Sequence, residues 1–120
     1  MYYIIMKPGS IAEDTASCYL RKNGYRVVAR NRRFGGIEID ILAIKYLNNI
    51  KNVYFIEVKE MKTKHYLSGY PPVSRKQWLR YERSVRILYL QAKKFINTHI
   101  SLIILDENHK IIQFITEYRV

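Results

Sequence analysis

Apolar residues first recur with helical spacing at Ala12, Ala16, Tyr19 and Leu20. Ser10 stands before this stripe as an N-cap, Glu13 follows three residues later, and Gly24 supplies a stop, so the pattern predicts a helix over Ser10 to Asn23. Tyr25 to Ala29 then reads as a short strand, and Asn31 to Gly36 as a turn. Ile37 to Ile44 and Val53 to Lys59 are rich in β-branched residues and predict two strands, joined by a hairpin connection over Lys45 to Asn52. A polar loop from Glu60 ends at Pro71-Pro72, beyond which Ser74 is placed to cap a second helix. In that helix Trp78, Tyr81, Val85, Leu88, Ala92 and Phe95 share one apolar face, while Lys76, Arg80 and Arg83 fall on a charged one. His99 to Leu105 and Lys110 to Thr116 predict two closing strands around an Asp106-Glu107-Asn108 turn. The order is helix, three strands, helix, two strands. It predicts an α/β fold, with a mixed sheet of about five strands flanked by two main helices.

Two of these strands carry charge where a sheet ordinarily buries apolar side chains. The chain has ten acids in 120 residues, yet Glu38-Ile39-Asp40 and Glu57-Val58-Lys59 place three of them in β-branched runs. Alternation along a strand puts Glu38 with Asp40, and Glu57 with Lys59, on one side each. An ionised group on a mostly buried strand costs several kcal/mol unless it is paired, hydrogen-bonded or bound to metal. This pattern points to a divalent-metal site beside a lysine. The competing reading is a cross-strand ion pair between Asp40 and Lys59.

Composition narrows the class of partner. A length of 120 residues with 48% hydrophobic residues suits one domain with its own core. A formal net charge of +11 favours a polyanion, nucleic acid before anionic membrane. The lone Cys18 excludes an internal disulfide and zinc-finger chemistry, suits a reducing cytoplasm, and reads as a small core residue of the first helix. The opening segment lacks the pattern of a signal peptide, and no apolar run approaches the ~18 residues of a membrane span. The expectation is a soluble cytoplasmic protein without a membrane partner. His65, His99 and His109 lack metal-ligand or nucleophile spacing and are assigned surface or loop roles.

Several motifs in order carry a resemblance: Ala12-Glu13, Gly24-Tyr25, Asn31-Arg32, the segment GGIEIDILA, the segment FIEVK, and Lys76. Over residues 9–115 the chain resembles the YraN-like predicted endonucleases, relatives of archaeal Holliday junction resolvases in the PD-(D/E)XK nuclease superfamily. Ile39 stands where the superfamily name has proline. Glu60-Met61, with Lys62 beyond, replaces the family's common Thr-Arg.

The resemblance implies a restriction-endonuclease-like core and a metal-dependent endonuclease. Asp40 and Glu57 would bind Mg²⁺ or Mn²⁺, which prefer hard oxygen ligands, and Lys59 would act near the attacking water. Glu13 would complete the site from the first helix, binding the metal directly or through water, although Ser10 and Glu13 also fit a capping box. Glu38 and Gln77 are expected as supporting residues. Arg30, Arg32, Arg33, Lys62, Lys64 and Lys76 are the expected phosphate contacts, with a solvated helix face as the alternative for Lys76. Tyr66 and Tyr70 lie in the same basic loop, placed for packing or for stacking on unpaired bases. DNA is the expected partner, bound by structure or nonspecifically, and junction resolution would call for a two-fold dimer. A non-catalytic nucleic-acid-binding module of the same fold is the alternative, and a basic adaptor for anionic surfaces is a second.

Overall fold

One sheet holds five strands in the order β1-β2-β3-β4-β5, namely β1 Arg26–Phe34, β2 Ile37–Leu47, β3 Ile50–Glu60, β4 Asn97–Leu105 and β5 Ile111–Ile115. The computed structural model describes residues 10–34, 36–92 and 97–119. Among the described residues three helices complete it: α1 Ser10–Lys22, α2 Thr63–Leu67 and α3 Arg75–Ala92. β1, β2 and β3 run antiparallel, β3 and β4 parallel, and β4 and β5 antiparallel. The parallel step needs a crossover, and the segment containing α3 supplies it. The expected order and the mixed sheet between two main helices are both present.

Each helix buries an apolar stripe on a different cluster. Ala12, Ala16 and Leu20 of α1 pack with Ile41, Ala43, Tyr54, Ile56, Ile103 and Leu105. Trp78, Tyr81 and Val85 of α3 pack with Ile39, Leu102 and Ile104, together with Met61 and Val73 from the segment between β3 and α3. Alternation along β4 feeds both clusters, since Leu102 and Ile104 face α3 while Ile103 and Leu105 face α1. The Trp78, Tyr81, Val85, Leu88 face thus sits where its period requires, Leu88 being partly buried; Phe95 lies outside the described residues.

Four local features differ from the sequence pattern. Asn31 to Phe34 belong to β1 rather than to a turn, with Arg32, Arg33 and Phe34 opposite Ile39, Glu38 and Ile37. A register shift between Val27 and Ala29, with Asn31 at φ 51°, lets the strand continue through this polar stretch. The β2–β3 hairpin closes on two residues, Asn48 and Asn49, whose φ of 51° and 65° is the left-handed geometry that asparagine tolerates. The polar loop after β3 contains the short α2, which buries none of its residues. Cys18 is exposed rather than in the core, because the α1 stripe passes through Ala12, Ala16 and Leu20 and the neighbouring Ser17 takes the buried position. Among the described residues no helix is long and apolar enough to cross a membrane.

Candidate active site

The site forms where β2 leaves β3. From Leu47↔Ile50 to Ile41↔Ile56 the two strands are paired; beyond Ile41, β2 remains paired with β1. Ile41 packs beneath α1, whereas Ile39 packs beneath α3. Strict alternation would put both on one face, so the chain turns over at Asp40. The Asp40 carboxylate fills the gap this opens, accepting the Val58 backbone N–H at 2.9 Å through Oδ2.

Glu57 and Lys59 reach the same place from β3. Phe55 packs in the α3 cluster while Tyr54 and Ile56 pack in the α1 cluster, so Glu57 and Lys59 share the α3 side with Phe55. Lys59 Nζ lies 3.5 Å from Glu57 Oε1. The lysine is therefore the partner of Glu57, and among the described residues it forms no ion pair with Asp40.

Burial pushes the Glu57 carboxyl up to about 8; the neighbouring Asp40 charge adds to the rise and Lys59 opposes it. Burial also raises Asp40, against the stabilising Val58 N–H. Two carboxylates held close in a partly dry site cannot both ionise freely, so the pair gives up its last proton only at raised pH. Glu13 enters from the first turn of α1. Burial raises it, a hydrogen bond with the Asn31 side chain opposes this, and the Asp40 and Glu38 charges add to the rise. Four acids therefore feel one another at this point of the sheet.

A cleft of about 200 Å³ opens over Glu57 and Lys59, lined also by Glu38, Gln77, Arg80 and Tyr81, with Val73 and Trp78 as apolar walls; Asp40 is outside its lining. A larger cavity of about 330 Å³ lies between Arg86 and Arg119 and contains none of the expected site residues. The Tyr81 hydroxyl is buried and hydrogen-bonds to no described residue. Burial and the Glu57 and Asp40 charges push its phenol upward, so it faces the acids as a neutral donor.

The donor set fits a hard divalent cation. Asp40 and Glu57 supply oxygens, and their mutual repulsion is what such an ion would relieve. Among the described residues no three Asp, Glu, His or Cys side chains converge closely enough to enclose a metal. The fit is accordingly to an ion held by two carboxylates, with water and phosphate completing its shell, as Mg²⁺ accepts. Glu13 feels the charges of Asp40 and Glu38 from α1.

The remaining expected residues divide clearly. Gln77 lines the cleft, whereas Lys76 is exposed outside its lining. Glu38 lies opposite Arg33 in the strand register and lines the cleft, but among the described residues it forms no ion pair. Arg32, Arg33, Lys62 and Lys64 are exposed. Arg30 is turned to α1, 2.7 Å from Asp14 and 3.8 Å from Glu13, which separates it from the cations that face solvent. Sequence reasoning assigned Arg80 only to a charged face and Tyr81 only to the core; their spacing of three and four from Gln77 is the signal that sets them beside the cleft. His99 also departs from a surface role. Its Nε2 meets Asn52 Oδ1 and its Nδ1 meets Glu117 Oε1, both at 2.7 Å, linking β3, β4 and the segment after β5.

A family model described as "Uncharacterised protein family UPF0102" matches residues 12–112. A UPF0102 protein of Fusobacterium nucleatum is 36% identical over 89 residues, 72% of this chain and 69% of that protein. A UPF0102 protein of Chloroherpeton thalassium is 45% identical over 64 residues, 52% of this chain and 44% of that protein. The match thus spans less than half the length of that relative. Among solved structures, an XisH family protein from Nostoc punctiforme PCC 73102 is 14% identical, with a TM-score of 0.47 over 88% of this chain and 98% of that one.

Proposed function

The chain belongs to the uncharacterised protein family UPF0102, and within it we propose that this protein is a divalent-metal-dependent DNA endonuclease. One observation carries the reading: a carboxylate pair, Asp40 and Glu57, is held at the parting of two strands, and Glu57 lines a cleft together with its neighbour Lys59. Asp40 and Glu57 are the residues that would hold Mg²⁺ or Mn²⁺. When bound, such an ion neutralises charge on the scissile phosphate and acidifies a water.

The chain's own groups do the rest. Asp40 is fixed by the Val58 N–H, so its oxygens are oriented before any ligand arrives. Lys59 is placed to orient the attacking water and to stabilise charge developing on the phosphate oxygens. Arg80 and Gln77 bring a cation and an amide to the wall of the cleft. Arg32, Arg33, Lys62, Lys64 and Lys76 would contact phosphates along the duplex, which positions the DNA without reading its sequence. Binding is therefore structure-selective or nonspecific, and two symmetric nicks in a junction would require a two-fold dimer. A cytoplasmic location accords with the single exposed thiol of Cys18.

The test is cleavage of labelled four-way junction, flap, duplex and single-stranded DNA with Mg²⁺ or Mn²⁺, comparing wild type with Asp40→Asn and Lys59→Ala. Cleavage by wild type alone is expected. DNA binding by all three proteins without cleavage under either metal would overturn the reading and leave a non-catalytic binding module.

A further inference from the structure

The segment between β3 and α3 holds a second concavity that the nuclease reading does not use. This cleft of about 500 Å³ is lined by Glu60, Met61, Lys62, His65, Tyr70, Pro71 and Pro72. Its tyrosine is open: Tyr70 is 59% exposed, with the His65 ring 5.1 Å away between centroids. A tyrosine that exposed contributes little to the core and leaves much of its ring surface open to a ligand in the cleft.

The segment is nonetheless anchored. Glu107, in the β4–β5 turn, accepts the Thr63 N–H at 2.8 Å and the Thr63 hydroxyl at 3.1 Å. The Tyr66 hydroxyl donates to Gln113 Oε1 on β5 at 3.0 Å. The Tyr70 N–H donates to the His65 carbonyl at 3.0 Å, and Gly69, at φ 78°, makes the turn between them. Tyr66 and Tyr70 therefore have different roles. The first is spent on attaching α2 to the sheet; the second is presented by the rigid piece so attached.

We propose that this cleft is a binding site for an unpaired nucleobase of the DNA strand that passes the carboxylate pair, an inference that rests on the endonuclease reading. A base presents a flat π-face to Tyr70, and stacking of this kind is indifferent to sequence. Lys62, which lines the cleft, and the exposed Lys64 on α2 provide positive charge for the flanking phosphates. The acid in the lining, Glu60, stands 3.2 Å from His109 Nδ1. The site adjoins the chemistry along the chain, because Lys59 precedes Glu60, and Pro71-Pro72 runs directly into Val73, a wall of the acid cleft. The two clefts are thus linked through Lys59-Glu60 and Pro72-Val73, and the preferred substrate carries unpaired nucleotides near the cleaved bond, as a flap does.

The experiment measures binding without added metal, using a fluorescently labelled blunt duplex and the same duplex carrying a short single-stranded tail at either end. Wild type is expected to bind a tailed duplex more tightly than the blunt one. Tyr70→Ala is expected to lower that affinity by about 5- to 150-fold, the range given by ~1–3 kcal/mol per stacked base, and Tyr70→Phe to retain it. The blunt duplex, which offers no unpaired base to stack, should bind all three within about two-fold through its phosphate contacts. Equal wild-type affinity for blunt and tailed DNA overturns the inference and leaves the endonuclease reading standing; so does a Tyr70→Ala loss that is the same on both. No binding to either DNA overturns both.

Discussion

Asp40 Oδ2 accepts the Val58 backbone N–H at 2.9 Å across the point where β2 stops pairing with β3. The carboxylate replaces the strand that has turned away, so one side chain both closes the sheet and sets a charge beside Glu57. Removing the whole group and removing only its charge must then have different consequences. Asp40→Ala leaves a partly buried N–H without an acceptor and is expected to cost about 1–3 kcal/mol. Asp40→Asn keeps an oxygen for Val58 and relieves the repulsion on Glu57, so in metal-free buffer it should be at least as stable as wild type. Both should lower cleavage on the order of 10³-fold, the loss of several kcal/mol of charge stabilisation. Urea unfolding beside the cleavage assay separates the two roles; equal stability of the two variants would show that the Val58 contact carries no weight.

Glu57 makes the stability of the metal-free protein depend on pH. Its carboxyl rises from 4.5 to about 8 on folding, so between those values the native state holds a proton that the unfolded chain has lost. Stability from this group is complete below about 4.5 and is lost as pH rises through about 8. Glu57→Gln should flatten that fall. Added Mn²⁺ should stabilise wild type more at the upper end of the window than at the lower, since the ion and the proton compete for the same oxygens. Thermal melts at intervals across the window check both statements, and identical pH slopes for wild type and Glu57→Gln would sink the assignment.

How much of this was legible beforehand follows from the range of each interaction. Periods of two and of three to four residues are local, and they located the strands around Asp40 and Glu57 and the Trp78, Tyr81, Val85 face. The acid-x-lysine frame on β3 put Glu57 and Lys59 on one face for the same reason, though not the contact between them. What local pattern does not contain is the turnover at Asp40, which depends on β1, β2 and β3 meeting, and the capture of Arg30 by Asp14 from α1. Cys18 failed on a finer point: seventeen and eighteen lie one residue apart on a helix, and only packing decides which of them the sheet covers. Tyr81 was read correctly as buried, but its unpartnered hydroxyl depends on what β3 places opposite it.

That hydroxyl gives a third expectation. A buried O–H without an acceptor lowers stability by about 1–3 kcal/mol relative to a shape that lacks it. Tyr81→Phe deletes the oxygen and little else, so the metal-free variant should gain stability, on the order of 1 kcal/mol, in urea unfolding. A loss of that size instead would mean that the hydroxyl has a partner in solution, and Glu57, in the same cleft, would be the first to examine.

The arginines of β1 should separate in their response to salt. Arg32 and Arg33 are exposed, whereas Arg30 lies 2.7 Å from Asp14 and 3.8 Å from Glu13. A cation that neutralises a DNA phosphate releases counterions, and its removal reduces the slope of log K against log salt by about 0.9. Arg32→Ala and Arg33→Ala are each expected to do this on blunt duplex DNA. Arg30→Ala should leave the slope unchanged, because the charge it removes is already occupied by α1, and should instead lower stability by up to about 1 kcal/mol as the link between α1 and β1 is lost. Fluorescence anisotropy titrations over a series of salt concentrations, with a urea melt of each variant, decide the matter. A reduced slope for Arg30→Ala would place that guanidinium on the DNA and require its contact with Asp14 to break on binding.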